Sequence, residues 1–106
     1  MRPLKEDELK RIYNNLTFLV DKLIDGQNLQ NLLAGCKFLS EEQKNYVLER
    51  GTIRNKAITL FDIVSRFSYY KFLLFITTLN AIDLKDISTI LRGFHGNDIL
   101  FYFAKN

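Results

Sequence analysis

After Pro3 the chain contains no proline, and its five glycines fall at 26, 35, 51, 93 and 96. This punctuation restricts the fold more than any other feature. Proline in a helix interior removes a hydrogen bond and clashes with the preceding turn, so nothing beyond residue 3 forbids helix. Glycine marks helix ends. Between the glycines, apolar residues recur at steps of three and four, the period of an amphipathic helix. Leu, Ile, Val and Phe make up 39 of the 106 residues, which excludes a disordered chain. The length suits one domain with one core.

Six helices are expected. The first runs from about Lys5 to Ile24, with Leu9, Ile12, Leu16, Leu19, Val20 and Leu23 on one stripe, and Gly26 ends it. The second spans Gln27 to Ala34, turns Leu29, Leu32 and Leu33 inward and takes Gly35 as its cap. The third starts at Ser40, three residues before Gln43, a capping box, with Tyr46 and Val47 as its core side. The fourth starts at Thr52 and aligns Ile53, Ala57, Leu60 and Val64, with Phe61 flanking. The fifth starts at Ser68 and is apolar on most sides through Leu73, Ile76 and Leu79, as in a central helix. The sixth is expected to start at Asp83, to bury Leu84, Ile87, Ile90 and Leu91, and to stop at Gly93. Strand alternation appears only at Ile99 to Phe103. The fold class is an all-α, six-helix antiparallel bundle.

Composition excludes several classes. One cysteine, Cys36, permits no intramolecular disulfide, and with a single histidine, His95, a Cys/His zinc site lacks ligands. A reducing, cytoplasmic compartment is the expectation. The charged N-terminus lacks a targeting pattern, and Phe67 to Ile82 is too short and carries Lys71, so no membrane span is expected. No phosphate-binding Gly-rich loop or catalytic constellation occurs. Cys36 reads as a small buried hydrophobe rather than a nucleophile, and Asp83 and Asp86 as helix-capping carboxylates. No enzyme and no cofactor are expected.

Four stretches then resemble a known family: Lys37-Phe38-Leu39-Ser40-Glu41-Glu42 opening the third helix, Gly51-Thr52-Ile53-Arg54-Asn55-Lys56-Ala57 opening the fourth, Phe72-Leu73-Leu74-Phe75-Ile76 in the fifth, and Asp86-Ile87-Ser88-Thr89-Ile90-Leu91 in the sixth. With a split-looking first helix, this order is similar to a caspase recruitment domain (CARD) of the death-fold superfamily, over roughly residues 8 to 92. The resemblance implies a six-helix Greek key over residues 1–93, followed by an apolar C-terminal extension, 94–106, that has no family counterpart. The Ser65-Arg66-Phe67-Ser68 junction also departs from the family, which often has glycine there. The implied function is recruitment of another CARD-containing protein in apoptosis or innate-immune signalling. Ile12 to Val20 is similar to the start of initiator-caspase prodomains, and Met1 fits an N-terminal recruiting domain; an adaptor or apoptosome-type scaffold is the alternative parent.

The formal net charge is +3, and residues 50 to 71 alone carry +4: Arg50, Arg54, Lys56, Arg66 and Lys71 against Asp62. Residues 1 to 25 and 72 to 106 are neutral, and 26 to 49 sum to −1. Such asymmetry steers encounter and selects partners more than it adds affinity. The resemblance implies a basic surface on the first and fourth helices meeting an acidic one on the second and third. By position, Arg54 matches a basic interface site of the family, with Arg50, Lys56, Lys10 and Arg11 as neighbours. The acidic counterpart would be Glu41 and Glu42, with Asp21 and Asp25. A chain with both faces can also form head-to-tail homo-oligomers. The bland reading is solubility, together with helix-dipole complementation by Glu41 and Glu42.

A nucleic-acid-binding bundle is the competing class, since Phe67, Tyr69, Tyr70, Phe72 and Phe75 lie near Arg66 and Lys71. Helical spacing favours core packing, and nucleic acid is not the expected partner. The extension, apolar from Ile99 to Phe103, is expected to pack on the bundle.

Overall fold

A computed structural model describes residues 2–93. The described residues form seven helices: α1 (Glu6–Asn14), α2 (Leu16–Leu23), α3 (Asn28–Gly35), α4 (Glu41–Leu48), α5 (Ile53–Val64), α6 (Tyr69–Ala81) and α7 (Lys85–Leu91). They contain no strand, only an isolated bridge between Pro3 and Ser68. His95 and the 94–106 extension, with its Ile99–Phe103 stretch, lie outside the described residues.

The expected six helices become seven because the first divides at Asn15, whose backbone leaves the helical region at φ −115°, ψ 14°. The Asn15 amide donates to the Arg11 carbonyl at 2.8 Å. Asparagine side chains compete in this way for backbone partners. The apolar stripe continues across the break, with Ile12, Leu19, Val20 and Leu23 all buried, which is why periodicity alone did not reveal it.

Three helices begin on the expected caps. Ser40 Oγ accepts from the Gln43 N–H at 3.0 Å while the Ser40 N–H donates to Gln43 Oε1 at 3.0 Å, the reciprocal capping box. Thr52 and Ser68 cap α5 and α6 through the Asn55 and Lys71 amides. Asp83 is a correction: it does not start α7. Its φ of 65° ends α6 instead, the Leu84 N–H donating to the Leu79 carbonyl at 2.8 Å and the Asp83 N–H to Asn80 at 3.2 Å. This is a Schellman stop with aspartate in the left-handed position usually held by glycine. The N-cap of α7 is Leu84, and only Asp86 sits in the first turn.

Gly35 has a different role from the one expected. It is the last residue of α3 and Cys36 is the cap, while a Cβ on Gly35 would lie 2.9 Å from Thr78 Cγ2 on α6. The glycine is there for close approach. Thr78 cannot turn away freely, because its hydroxyl donates to the Leu74 carbonyl at 2.9 Å. Gly35→Ala should therefore destabilise by about 1 kcal/mol despite alanine's better helix propensity. Combination with Thr78→Ser, which removes the methyl, should recover that loss in a chemical denaturation series.

The core is one cluster fed by every helix. At its centre Phe75 packs edge-on against Phe61 at 6.3 Å and Phe67 at 6.2 Å, and Phe38 packs on Phe67 at 5.7 Å. Phe61, read as flanking, is fully buried, whereas Ile53 and Leu73 are more than a third exposed. Tyr46 also departs from expectation and faces outward. It neighbours Val47, about 100° away around the helix, and α4 buries only Val47. Around this core α2 packs on α5, α1 on α7, α3 on α6, α4 on α5 and α6 on α7. No helix among the described residues is long and apolar enough to cross a membrane.

Candidate protein-interaction surface

The surface is built outward from the first turn of α5. Thr52 fixes that turn, which carries Arg54 and Lys56 and no acidic residue. Two cations at the positive end of a helix dipole are unfavourable without compensation. Asp21 of α2 supplies it: Arg54 Nη2 donates to Asp21 Oδ1 at 2.7 Å, and both side chains are about half exposed, at 48% and 53%. The structure thus joins one residue from each expected face in a single ion pair on the α2–α5 side. Exposed pairs of this kind contribute about 0.2–1 kcal/mol, so it orients Arg54 more than it stabilises the fold.

The other basic candidates are held in various ways. Arg50, just past α4, lays its guanidinium over the Tyr46 ring at 4.4 Å, and its buried Nε has no hydrogen-bond acceptor among the described residues. Lys56 is half-buried. Lys10 makes an exposed helical pair with Glu6 at 3.4 Å. Arg11 reaches Asp7 at 3.2 Å and donates to the Leu91 carbonyl at 3.3 Å, placing a cation at the negative end of α7. It also packs against Gly93, where φ is +100° and an added Cβ would lie 3.1 Å from the guanidinium. Among the acidic candidates, Glu41 pairs at 4.0 Å with Lys44. Glu42 and Asp25 are exposed, and neither makes an ion pair among the described residues.

Compared with protein-family models, with curated proteins and with solved structures, the chain matches none.

Two features were not legible in the sequence. Glu8, one of ten charges near the N-terminus, is buried and takes both guanidinium nitrogens of Arg2 at 2.9 and 2.8 Å and the Lys5 amide at 2.7 Å. The Arg2 guanidinium and these hydrogen bonds hold its carboxyl below the ordinary range despite burial. Arg2 in turn lies 3.8 Å over the Tyr69 ring, and its carbonyl accepts from the Tyr69 N–H. The second feature is the outward set of Tyr13, Tyr46 and Ile58; its only sequence signal was a short helix with too few apolar positions to bury Tyr46. The aromatic run near Arg66 packs inward, as its helical spacing indicated: Phe67, Phe72 and Phe75 are buried, and Tyr70 alone is mostly exposed. Cys36 is fully buried, and burial pushes its thiol up to about 12, far from the thiolate a nucleophile needs. Among the described residues no three His, Cys, Asp or Glu side chains gather as a metal site.

Proposed function

We propose that this chain is a recruitment module of the CARD type, binding a second death-fold domain through charge-complementary helix surfaces. The observation that carries the reading is the outward Arg54. It sits at the first turn of α5, half exposed, and Asp21 orients it through a single hydrogen bond. A guanidinium fixed in this way has lost much of its rotamer freedom before a partner carboxylate arrives, which lowers the ordering cost of binding. Arginine suits the task because its planar fork can take a carboxylate in two hydrogen bonds.

The helix arrangement supports the same reading. A six-helix Greek key with a divided first helix needs neighbours that are not consecutive, and α2 on α5, α1 on α7 and α3 on α6 are such pairs. The buried, unreactive Cys36 suits a reducing cytoplasm. Recruitment then works by proximity, raising the effective concentration of whatever is attached to the module; an initiator caspase, an adaptor or a scaffold would each be served.

The test is capture of the chain by a panel of purified death-fold domains, beside DNA and RNA oligonucleotides. Binding to one of the domains and not to nucleic acid is the expected result. Arg54→Glu should weaken that binding roughly tenfold or more at low salt and leave the fold intact. The exchange Arg54→Asp with Asp21→Arg rebuilds the internal pair, so binding should stay lost while stability returns. An unchanged dissociation constant for Arg54→Glu would remove the residue from the interface.

A further inference from the structure

Tyr13, Tyr46 and Ile58 are 52%, 48% and 39% exposed, and they meet around one groove of about 300 Å³ between α1, the start of α2, α4 and α5. Tyr46 also borders a second groove of about 450 Å³, shared with Ile63 and Phe67 and rimmed by Glu42, Arg66 and Lys71. Tyr46 is therefore the ridge between two hollows, the smaller mainly apolar and the larger mixed, its ring braced by the Arg50 guanidinium. Isolated exposed apolar side chains need no partner, but a contiguous set centred on a braced tyrosine has the composition of an interface centre.

The charges around the larger groove indicate the occupant. Arg66 is committed to Asp62 at 2.8 Å. Glu42 from α4 and Lys71 from α6 are both exposed, border the same groove and make no ion pair among the described residues. An acidic partner would be opposed by Glu42 and a basic one by Lys71. A second copy of the same surface satisfies both: a two-fold axis through the groove sets each Glu42 against a Lys71, twice over, as an isologous contact requires. We infer that the Tyr46 surface is a symmetric self-association site at which two copies of this chain pair through their groove-bordering apolar side chains and reciprocal Glu42–Lys71 contacts. Arg54 and Asp21 take no part, whereas Glu42 and Arg50 are also candidates for the recruitment surface, so Tyr46 and Arg54 are the residues that tell the two contacts apart.

Sedimentation velocity of the full chain from micromolar to millimolar concentration tests it, with circular dichroism as the check on folding. A monomer–dimer equilibrium is expected. Tyr46→Ser and Glu42→Lys should each raise the dimer dissociation constant by about tenfold or more. Glu42→Lys combined with Lys71→Glu should return it to within about threefold of the original, because the reciprocal contacts are restored with their signs exchanged. Arg54→Glu should leave it unchanged, which separates this contact from the Arg54–Asp21 part of the recruitment surface. A chain monomeric throughout, open-ended growth, a dimer indifferent to Tyr46→Ser, or a double reversal that fails to rescue would each overturn the proposal.

Discussion

Phe75→Ala should lower the unfolding free energy by about 3–5 kcal/mol, the range for deleting a buried phenylalanine. Phe75 is fully buried and makes edge contacts with both Phe61 on α5 and Phe67 between α5 and α6. Its loss therefore removes apolar burial, opens a cavity and leaves two aromatic edges without a partner. A domain of this size has only about 5–15 kcal/mol in total, so much of the stability goes with one ring. Phe75→Leu keeps most of the volume and should cost clearly less. Urea unfolding of the two variants checks the ranking, and equal losses would show that Phe75 is not where the core is most tightly packed.

Glu8→Gln should lower Tm by roughly 5–10 °C near neutral pH. The residue is buried and receives Arg2 and the Lys5 amide together, so it closes the first turn of α1 and ties Arg2 to it, while Arg2 itself contacts Tyr69 at the start of α6. Glutamine keeps an acceptor for Lys5 but gives up the charge that Arg2 pairs with. The pH dependence follows from the direction of the shift. The folded carboxyl titrates below its ordinary 4.5, so its contribution is complete above that value and is lost as pH falls through the folded pKa. The gap in Tm between wild type and Glu8→Gln should thus be widest near pH 7 and close in the acid range. A gap that stays constant down to strongly acidic pH would show that packing, rather than the ion pair, is what Glu8 supplies.

Much of the fold was legible in the order of residues. Ser40 with Gln43, Thr52 and Ser68 each announce a helix start because the cap is a local hydrogen bond three residues long. Leu19, Leu60 and Leu79 reveal their inward faces because helical period is local as well. The break at Asn15 is not placed by the sequence, and Asp83 reads as a helix start, for a common reason. Both are residues whose short polar side chains can serve a helix end as readily as a beginning, and the choice depends on neighbours such as the Arg11 and Leu79 carbonyls. Tyr46 was misplaced because helical period describes a stripe and not which of two adjacent residues meets another helix.

The candidate site was readable only as a set of charges. The +4 of residues 50 to 71 is a fact of sequence, but Arg54 meets Asp21 across 33 positions and Arg11 meets Leu91 across 80. Contacts so distant along the chain are fixed by how α2 lies on α5 and α7 on α1, which no local pattern encodes. The sequence by itself determined the all-helical character of the described residues, three of the caps and most of the core, because those depend on interactions within a few residues. Only the tertiary structure decided which charges are neutralised and which remain outward, and that Tyr46 stands between two grooves. Those outcomes depend on helix packing, where long-range burial rather than local propensity sets the geometry.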